Sequence, residues 1–208
     1  MKESRVEKLA PLGGVVFVAL AAIGILLLGT YDYKPSAERA VEIFASNPGN
    51  VAQGGGIGAI SAFFFIWFAG SVFAASRDRE GGSGWLSTVA FGGGVATGLA
   101  VAVGMMVLWA GGARAGAPGG ITPEGAVTLY DLYSGVMGGG LSVAMAVFIG
   151  ATAVVSLRTM MFPAWFGWVS ALIALGLLTP IHYIFEGLAM VWIVVVSIWL
   201  NRRGTSPA

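Results

Sequence analysis

Cysteine is absent from this 208-residue chain, and histidine occurs once. The first absence excludes disulfides, thiolate zinc, iron–sulfur clusters and covalent haem attachment together. The second excludes bis-histidine haem and any multi-histidine metal site. Charge is scarce as well: 10% of residues are Asp, Glu, Lys or Arg, against about 25% in an average soluble domain. The net charge of +1 gives no reason to expect a nucleic-acid partner. The three lysines, Lys2, Lys8 and Lys34, lie outside the apolar runs. A retinal Schiff base needs a lysine within the bundle, so that pigment chemistry is excluded too.

What the chain has in place of charge is apolar length. Hydrophobic residues make up 57% of it, and the mean hydropathy is +0.84. Together these place it in the membrane class. Six segments approach the roughly 20 residues that a bilayer core requires. They run over 11–30, 54–76, 85–110, 123–157, 163–179 and 180–200. The first has a basic start, but Thr30-Tyr31-Asp32 offers no small-x-small cleavage site, so it is read as a retained span. The prediction is an all-α fold: one domain over 1–208, a polytopic membrane bundle of six transmembrane helices plus a short outer amphipathic helix. Six spans put both termini on one side. With that side cytoplasmic, Lys2, Arg5, Lys8, Arg77, Arg79, Arg158, Arg202 and Arg203 lie inside, and Lys34, Arg39 and Arg114 outside. Eight against three follows the positive-inside rule. The lipid bilayer is the first expected partner.

Local signals place the helix starts. Thr122-Pro123-Glu124 offers a cap, a proline at the first helical position and an acid in the first turn. Thr179-Pro180 suggests the same start for span six, and Phe162-Pro163 marks the turn before span five. Ser36 can cap an outer helix over 36–46, which Asn47-Pro48-Gly49 ends. Its Ala37, Ala40, Val41, Phe44 and Ala45 share one face. That face can lie on the bilayer surface or close over a pocket as a lid. The 33 glycines point to close helix packing, in pairs such as Gly94/Gly98, Gly135/Gly139 and Ala146/Gly150. Gly138-Gly139-Gly140 also permits a bend in span four. The glycine triplets follow no strand and no phosphate-loop lysine accompanies them, which excludes nucleotide loops. The segment 111–121 reads as a connector.

The polar residues inside the spans carry the functional question. Glu186 sits in a stretch otherwise largely apolar to Leu200, and His182 precedes it by four positions. On a helix the two share a face. A carboxylate inside a span costs about 2.5–3.5 kcal/mol on insertion scales, so it faces the bundle interior, finds a partner and is a functional candidate. Span four carries Thr128, Asp131, Ser134 or Gly135, Gly138 and Ser142 at three-to-four spacing, a small polar stripe. Tyr130, Tyr133 and Tyr183 add hydroxyls at similar height. The expected ligand- or proton-binding set is Glu186, His182, Asp131, Tyr130, Tyr133 and Tyr183, with Asp131 and His182 as partners of Glu186. A purely structural pairing of these groups is the alternative. One histidine with two carboxylates falls short of the usual facial triad, so no metal site is expected. No Ser/His/Asp order or G-x-S-x-G element is present, so no catalytic residue is assigned. No cofactor is expected.

The layout resembles a family of uncharacterised six-helix bacterial membrane proteins of the actinobacterial type. The likeness rests on the opening run 10–17, the outer helix, Phe64-Phe65-Ile66-Trp67-Phe68, Leu129-Tyr130-Asp131 and Phe162-Pro163-Ala164-Trp165-Phe166-Gly167-Trp168. Ala164 stands where the family pattern implies a basic residue, and Arg158 can serve in its stead. The resemblance implies this fold and a bacterial plasma membrane, and brings no substrate. Two functions follow: handling of a small solute, proton or cation through an outer-leaflet polar pocket, or an accessory role docking a membrane-protein partner.

Overall fold

Proline and glycine divide the chain into helices, and no strand occurs among the described residues. The computed structural model describes residues 9–29, 32 and 34–204, the last two by backbone only. A 3-10 turn, Ala10–Leu12, leads into α1, Gly13–Leu28. Then come α2, Ala37–Ala45, and α3, Pro48–Glu80. They are followed by α4, Trp85–Ala115, and α5, Pro123–Ser134. A π-helical segment, Gly135–Gly140, joins α5 to α6, Leu141–Thr159. The chain closes with α7, Ala164–Gly176, and α8, His182–Gly204.

Five helices are long and apolar enough to cross a membrane: Ala10–Leu28, Pro48–Glu80, Trp85–Ala115, Pro123–Thr159 and His182–Arg202. The sixth expected span is an apolar helix of only 13 residues, α7. It rises about 20 Å, short of the roughly 30 Å hydrocarbon core. The remaining height on that side is turn, 177–181.

Three local expectations change. Asn47-Pro48-Gly49 starts α3 as much as it ends α2: the Asn47 side chain accepts from Asn50 N at 3.4 Å, and Pro48 takes the first turn. Both helices therefore meet with almost no loop. The connector expected over 111–121 is helical to Ala115. Thr179 does not cap α8. Its hydroxyl turns back to donate to Gly176 O at 2.7 Å, and α8 begins at His182. By contrast, Thr122 caps α5 as its sequence suggests, accepting from Gly125 N at 3.2 Å.

The core is aromatic at its centre. Phe17, Phe65, Phe68, Phe148 and Trp192 are all buried. Phe65 meets Phe17 and Phe148 edge-on at 4.9 and 5.6 Å, and Phe148 meets Trp192 at 5.8 Å. Edge-to-face pairs add about 0.5–1.5 kcal/mol beyond area burial. The Trp192 indole donates to Ser170 Oγ at 2.7 Å, tying α8 to α7. The long α3–α4 pair packs backbone to backbone. A methyl group on Gly55 would lie 2.5 Å from Trp109 N, and one on Gly112 would lie 2.6 Å from Ala52 N. Small residues permit this approach where lipid supplies no hydrophobic drive. The turn 81–84 gives α4 no side-chain cap of its own, because Gly84 holds that position. The carboxylate of Glu80 crosses the turn instead, accepting from Leu86 N at 3.0 Å and Ser87 N at 2.8 Å.

Successive membrane-length helices and α7 alternate in direction, with α5 and α6 forming one of them, so Arg77, Arg79, Arg158 and Arg202 gather at one end, hereafter the basic end. Lys34, Arg39 and Arg114 lie at the opposite, loop end. Lys2, Arg5 and Lys8 lie outside the described residues, as does the side chain of Arg203.

Candidate functional site

The site forms where span four loses its regular helix. Gly135–Gly140 carries four glycines in six residues and adopts a π-helical turn. Such turns insert extra backbone into a helix and occur frequently at functional sites. A side chain at Gly135, Gly139 or Gly140 would meet nothing within 4 Å. The expected packing pair Gly135/Gly139 is therefore not a packing pair. It borders open space, whereas Gly94 does pack closely, 2.6 Å from Ala69 for an added methyl.

That space is a groove of about 1260 Å³ between span four and the α7–α8 hairpin. Asp131, Ser134, Gly138 and Ser142 line its span-four wall, and Thr179, His182 and Tyr183 line the other. Lys34 and Pro35 edge it at the loop end. The polar stripe inferred along span four thus faces one cavity from Asp131 to Ser142, whereas Thr128 lies outside it, its hydroxyl donating to Glu124 O at 2.7 Å.

Ser142 and His182 of the groove wall close a ring with Glu186 behind them. His182 Nδ1 lies 3.0 Å from Glu186 Oε1 and 3.2 Å from Ser142 Oγ. The Ser142 hydroxyl donates to the same Glu186 Oε1 at 2.6 Å. An ionised carboxylate only accepts, so beside that form of Glu186 the ring nitrogen Nδ1 is the donor. Nε2 then points away from the ring. A methyl group at Gly138 would sit 3.8 Å from it, and among the described residues Nε2 has no hydrogen-bond partner. The arrangement offers a ligand one imidazole nitrogen, backed by a carboxylate that can hold a second proton or balance a cation. Both side chains keep partial access, 30% for His182 and 24% for Glu186.

Span four and α8 run in the same direction here, with Gly138 level with His182 and Ser142 level with Glu186. Asp131 lies two helical turns above Gly138, about 10 Å by helical rise, and makes no bond to Glu186. The expected partnership of Asp131 with Glu186 is replaced by Ser142 with Glu186, while Asp131 stays exposed on the groove wall nearer the loop end. Tyr183 stands edge-on to His182 at 6.3 Å. Tyr130 does different work. Its ring is buried, and its hydroxyl donates to Asp32 O at 2.6 Å and accepts from Asp32 N at 3.2 Å. Tyr133 meets the Tyr130 ring at 6.1 Å. Neither lines the groove nor joins the His182–Glu186 ring; Tyr130 anchors Asp32, close in the chain to Lys34 and Pro35 at the groove's edge.

Asp32 is held a second time, by the Arg39 guanidinium, which also reaches Glu42 at 2.7 Å. The hydrogen bonds to Asp32 and then Glu42 hold Arg39 protonated well above its ordinary value. Glu38 is shifted the other way, below the usual carboxylate range, by the backbone N–H at the start of α2 and the Ser36 hydroxyl. Between the Asp32 anchor and the Ser36 cap, Lys34 adopts φ +51°. That conformation is uncommon for a residue with a side chain, and the following proline restricts this position further. The outer helix α2 buries Ala40 and Phe44 against α4 and α5. Phe44 fills the space beside Gly111. Its apolar stripe faces protein, not lipid. The residues that edge the groove precede α2.

No family model, no curated protein and no solved structure matches this chain. Nor do His, Asp and Glu side chains gather into a metal-binding group among the described residues.

Proposed function

We propose that this protein binds a small cation or proton, or a small polar solute, at the Ser142–His182–Glu186 ring, reached through the groove from the loop end. The single observation that carries this reading is the hydrogen-bonded Ser142–His182–Glu186 ring, two of whose members, Ser142 and His182, line a cavity that glycines keep clear. A pair serving only to lock two helices would gain from a filled interface, because voids forfeit contacts. The four clustered arginines favour a cytoplasmic basic end. The groove then opens toward the outer leaflet of a bacterial plasma membrane, with both termini inside. The resemblance to six-helix bacterial membrane proteins, with α7 as the sixth element, agrees with that placement.

Docking of a membrane-protein partner is the second reading. Gly92 and Gly187 leave exposed small surface on α4 and α8. Most glycines of α3 and α4, however, are already used in internal packing, which favours the ligand site.

The test is a thermal-shift series across pH with sodium, potassium and small organic ammonium ions, on the wild type and Glu186→Gln. The expected result is a cation- and pH-dependent midpoint in the wild type that is lost in Glu186→Gln. Identical profiles for the two proteins would overturn the assignment.

A further inference from the structure

Two anchors for a cation serve one groove, at different heights. The outer one is Asp131, an exposed residue of the span-four wall whose carboxylate forms no ion pair with any described residue. The inner one is His182, which lines the groove while its Nδ1 contacts Glu186 behind it. With Glu186 ionised, Nδ1 donates and Nε2 is left as an acceptor backed by a negative charge. Gly138 marks the height of Nε2, and Asp131 stands about 10 Å above it by helical rise. Lys34, at the groove's edge, already has an interaction within the protein and forms no ion pair with Asp131.

A second observation lies between the two anchors. Thr97, Thr128, Thr152 and Ser197 all turn their hydroxyls back onto the carbonyl four residues earlier, the usual resort of a hydroxyl within a helix. Ser134, the last residue before the π-helical turn, does not. Its oxygen is buried and has no hydrogen-bond partner, although the residue lines the groove. Buried polar groups without partners are rare and costly. Rotation about χ1 brings this oxygen to the groove without breaking any bond. Ser134 follows Asp131 by three residues, so the two side chains share a helix face and can hold one cation between them. On the loop side of His182 the facing wall is Leu177, Leu178 and Pro180 of the hairpin turn. The Thr179 hydroxyl there is committed to Gly176 O. This wall suits a methylene chain.

We propose that the groove takes a linear aliphatic diammonium ligand. One ammonium is shared by Asp131 and Ser134, the other donates to Nε2 of His182, and the methylene chain lies along the hairpin turn. The inference rests on reading the ring as a cation site, and it names the class of cation. A zwitterion of the same length would set its carboxylate against Asp131 or against the imidazole that Glu186 backs. A monoamine would leave one anchor unmet.

The experiment compares thermal midpoints of the purified protein with hexamethylenediamine, ethylenediamine, hexylamine and aminohexanoate. Hexamethylenediamine should act at a concentration at least about tenfold lower than hexylamine, the loss expected for one charge-assisted contact. Ethylenediamine, too short to join the anchors, should show no such advantage, and aminohexanoate should act most weakly. Asp131→Asn should remove the advantage of the long diamine and keep the hexylamine response at the ring, which also reports that the variant is folded. Ser134→Ala should reduce the advantage without lowering the ligand-free midpoint, because no internal bond is lost. Equal action of hexamethylenediamine and hexylamine on the wild type overturns the proposal. So does a diamine advantage that survives Asp131→Asn, and so does ethylenediamine acting as well as the longer diamine, which would mark charge alone. A Glu186-dependent hexylamine response without a diamine advantage removes the diammonium ligand and keeps the cation site. A diamine advantage unchanged in Glu186→Gln removes the ring as the inner anchor, and both readings fall with it.

Discussion

At the scale of single residues, Glu186 has two side-chain partners, and only one of them was legible. His182 is found by helical spacing alone, because positions four apart on one helix must meet. Ser142 is on another helix and could be placed on the right stripe but not at the right height. Height needs the register between span four and α8, which no local pattern encodes. That is why the other carboxylate, Asp131, looked like the natural partner. Ser142→Ala removes the 2.6 Å bond to Glu186. A hydrogen bond to a charged group contributes about 1.5–3 kcal/mol, so the thermal midpoint in detergent should fall, and Ser142→Thr should restore most of it. An unchanged midpoint for Ser142→Ala would show that Glu186 does not rely on this hydroxyl. Tyr130→Phe acts on the rim instead. It deletes both bonds to Asp32 and should expose 32–36 to limited proteolysis faster than in the wild type, while the cation response of Glu186 persists.

At the scale of elements, the apolar runs announced every long helix, because some 20 apolar residues have few other fates. The ends were harder. Asn47-Pro48-Gly49 contains both a stop and a start, and only packing decides how little chain separates them. Glu80 caps α4 from the preceding helix across a glycine turn, so the cap is absent from the positions where a local reading looks for it. Glu80→Ala should cost about 0.5–2 kcal/mol, the usual value of a lost cap, read as a lower unfolding midpoint. The glycines divide by environment in a way spacing could not reveal. Gly55→Val would drive a side chain into the backbone of Trp109 and Met105. Overpacking of this kind costs about 1–3 kcal/mol, and here the obstacle is backbone. Gly92→Ala meets nothing within 4 Å and should be neutral or gain up to about 1 kcal/mol of helix propensity. Comparing the two variants by detergent unfolding separates glycine used for close approach from glycine that merely occupies a helix. Equal losses would contradict the α3–α4 contact.

At the scale of the whole molecule, the end-to-end distribution of charge bears on which side the groove faces. Arg77, Arg79, Arg158 and Arg202 lie together because α3, α6 and α8 all finish at that end. Basic residues near span ends are retained on the cytoplasmic side during insertion. The loop end carries Lys34, Arg39 and Arg114, and Arg39 is engaged by Asp32 and Glu42 rather than left as free positive charge. The chain has no native cysteine, so a single introduced thiol reports its own side without background. Gly116 follows α4 at the loop end, where a side chain has ordinary clearance from Pro48. Gly116→Cys should react with a membrane-impermeant maleimide added to intact cells, and Ser83→Cys, in the turn at the basic end, should react only after the membrane is opened. The reverse pattern would invert the molecule. The groove, Lys34 and the Ser142–His182–Glu186 ring would then open to the cytoplasm, and any ligand of the outer leaflet would be ruled out by geometry alone.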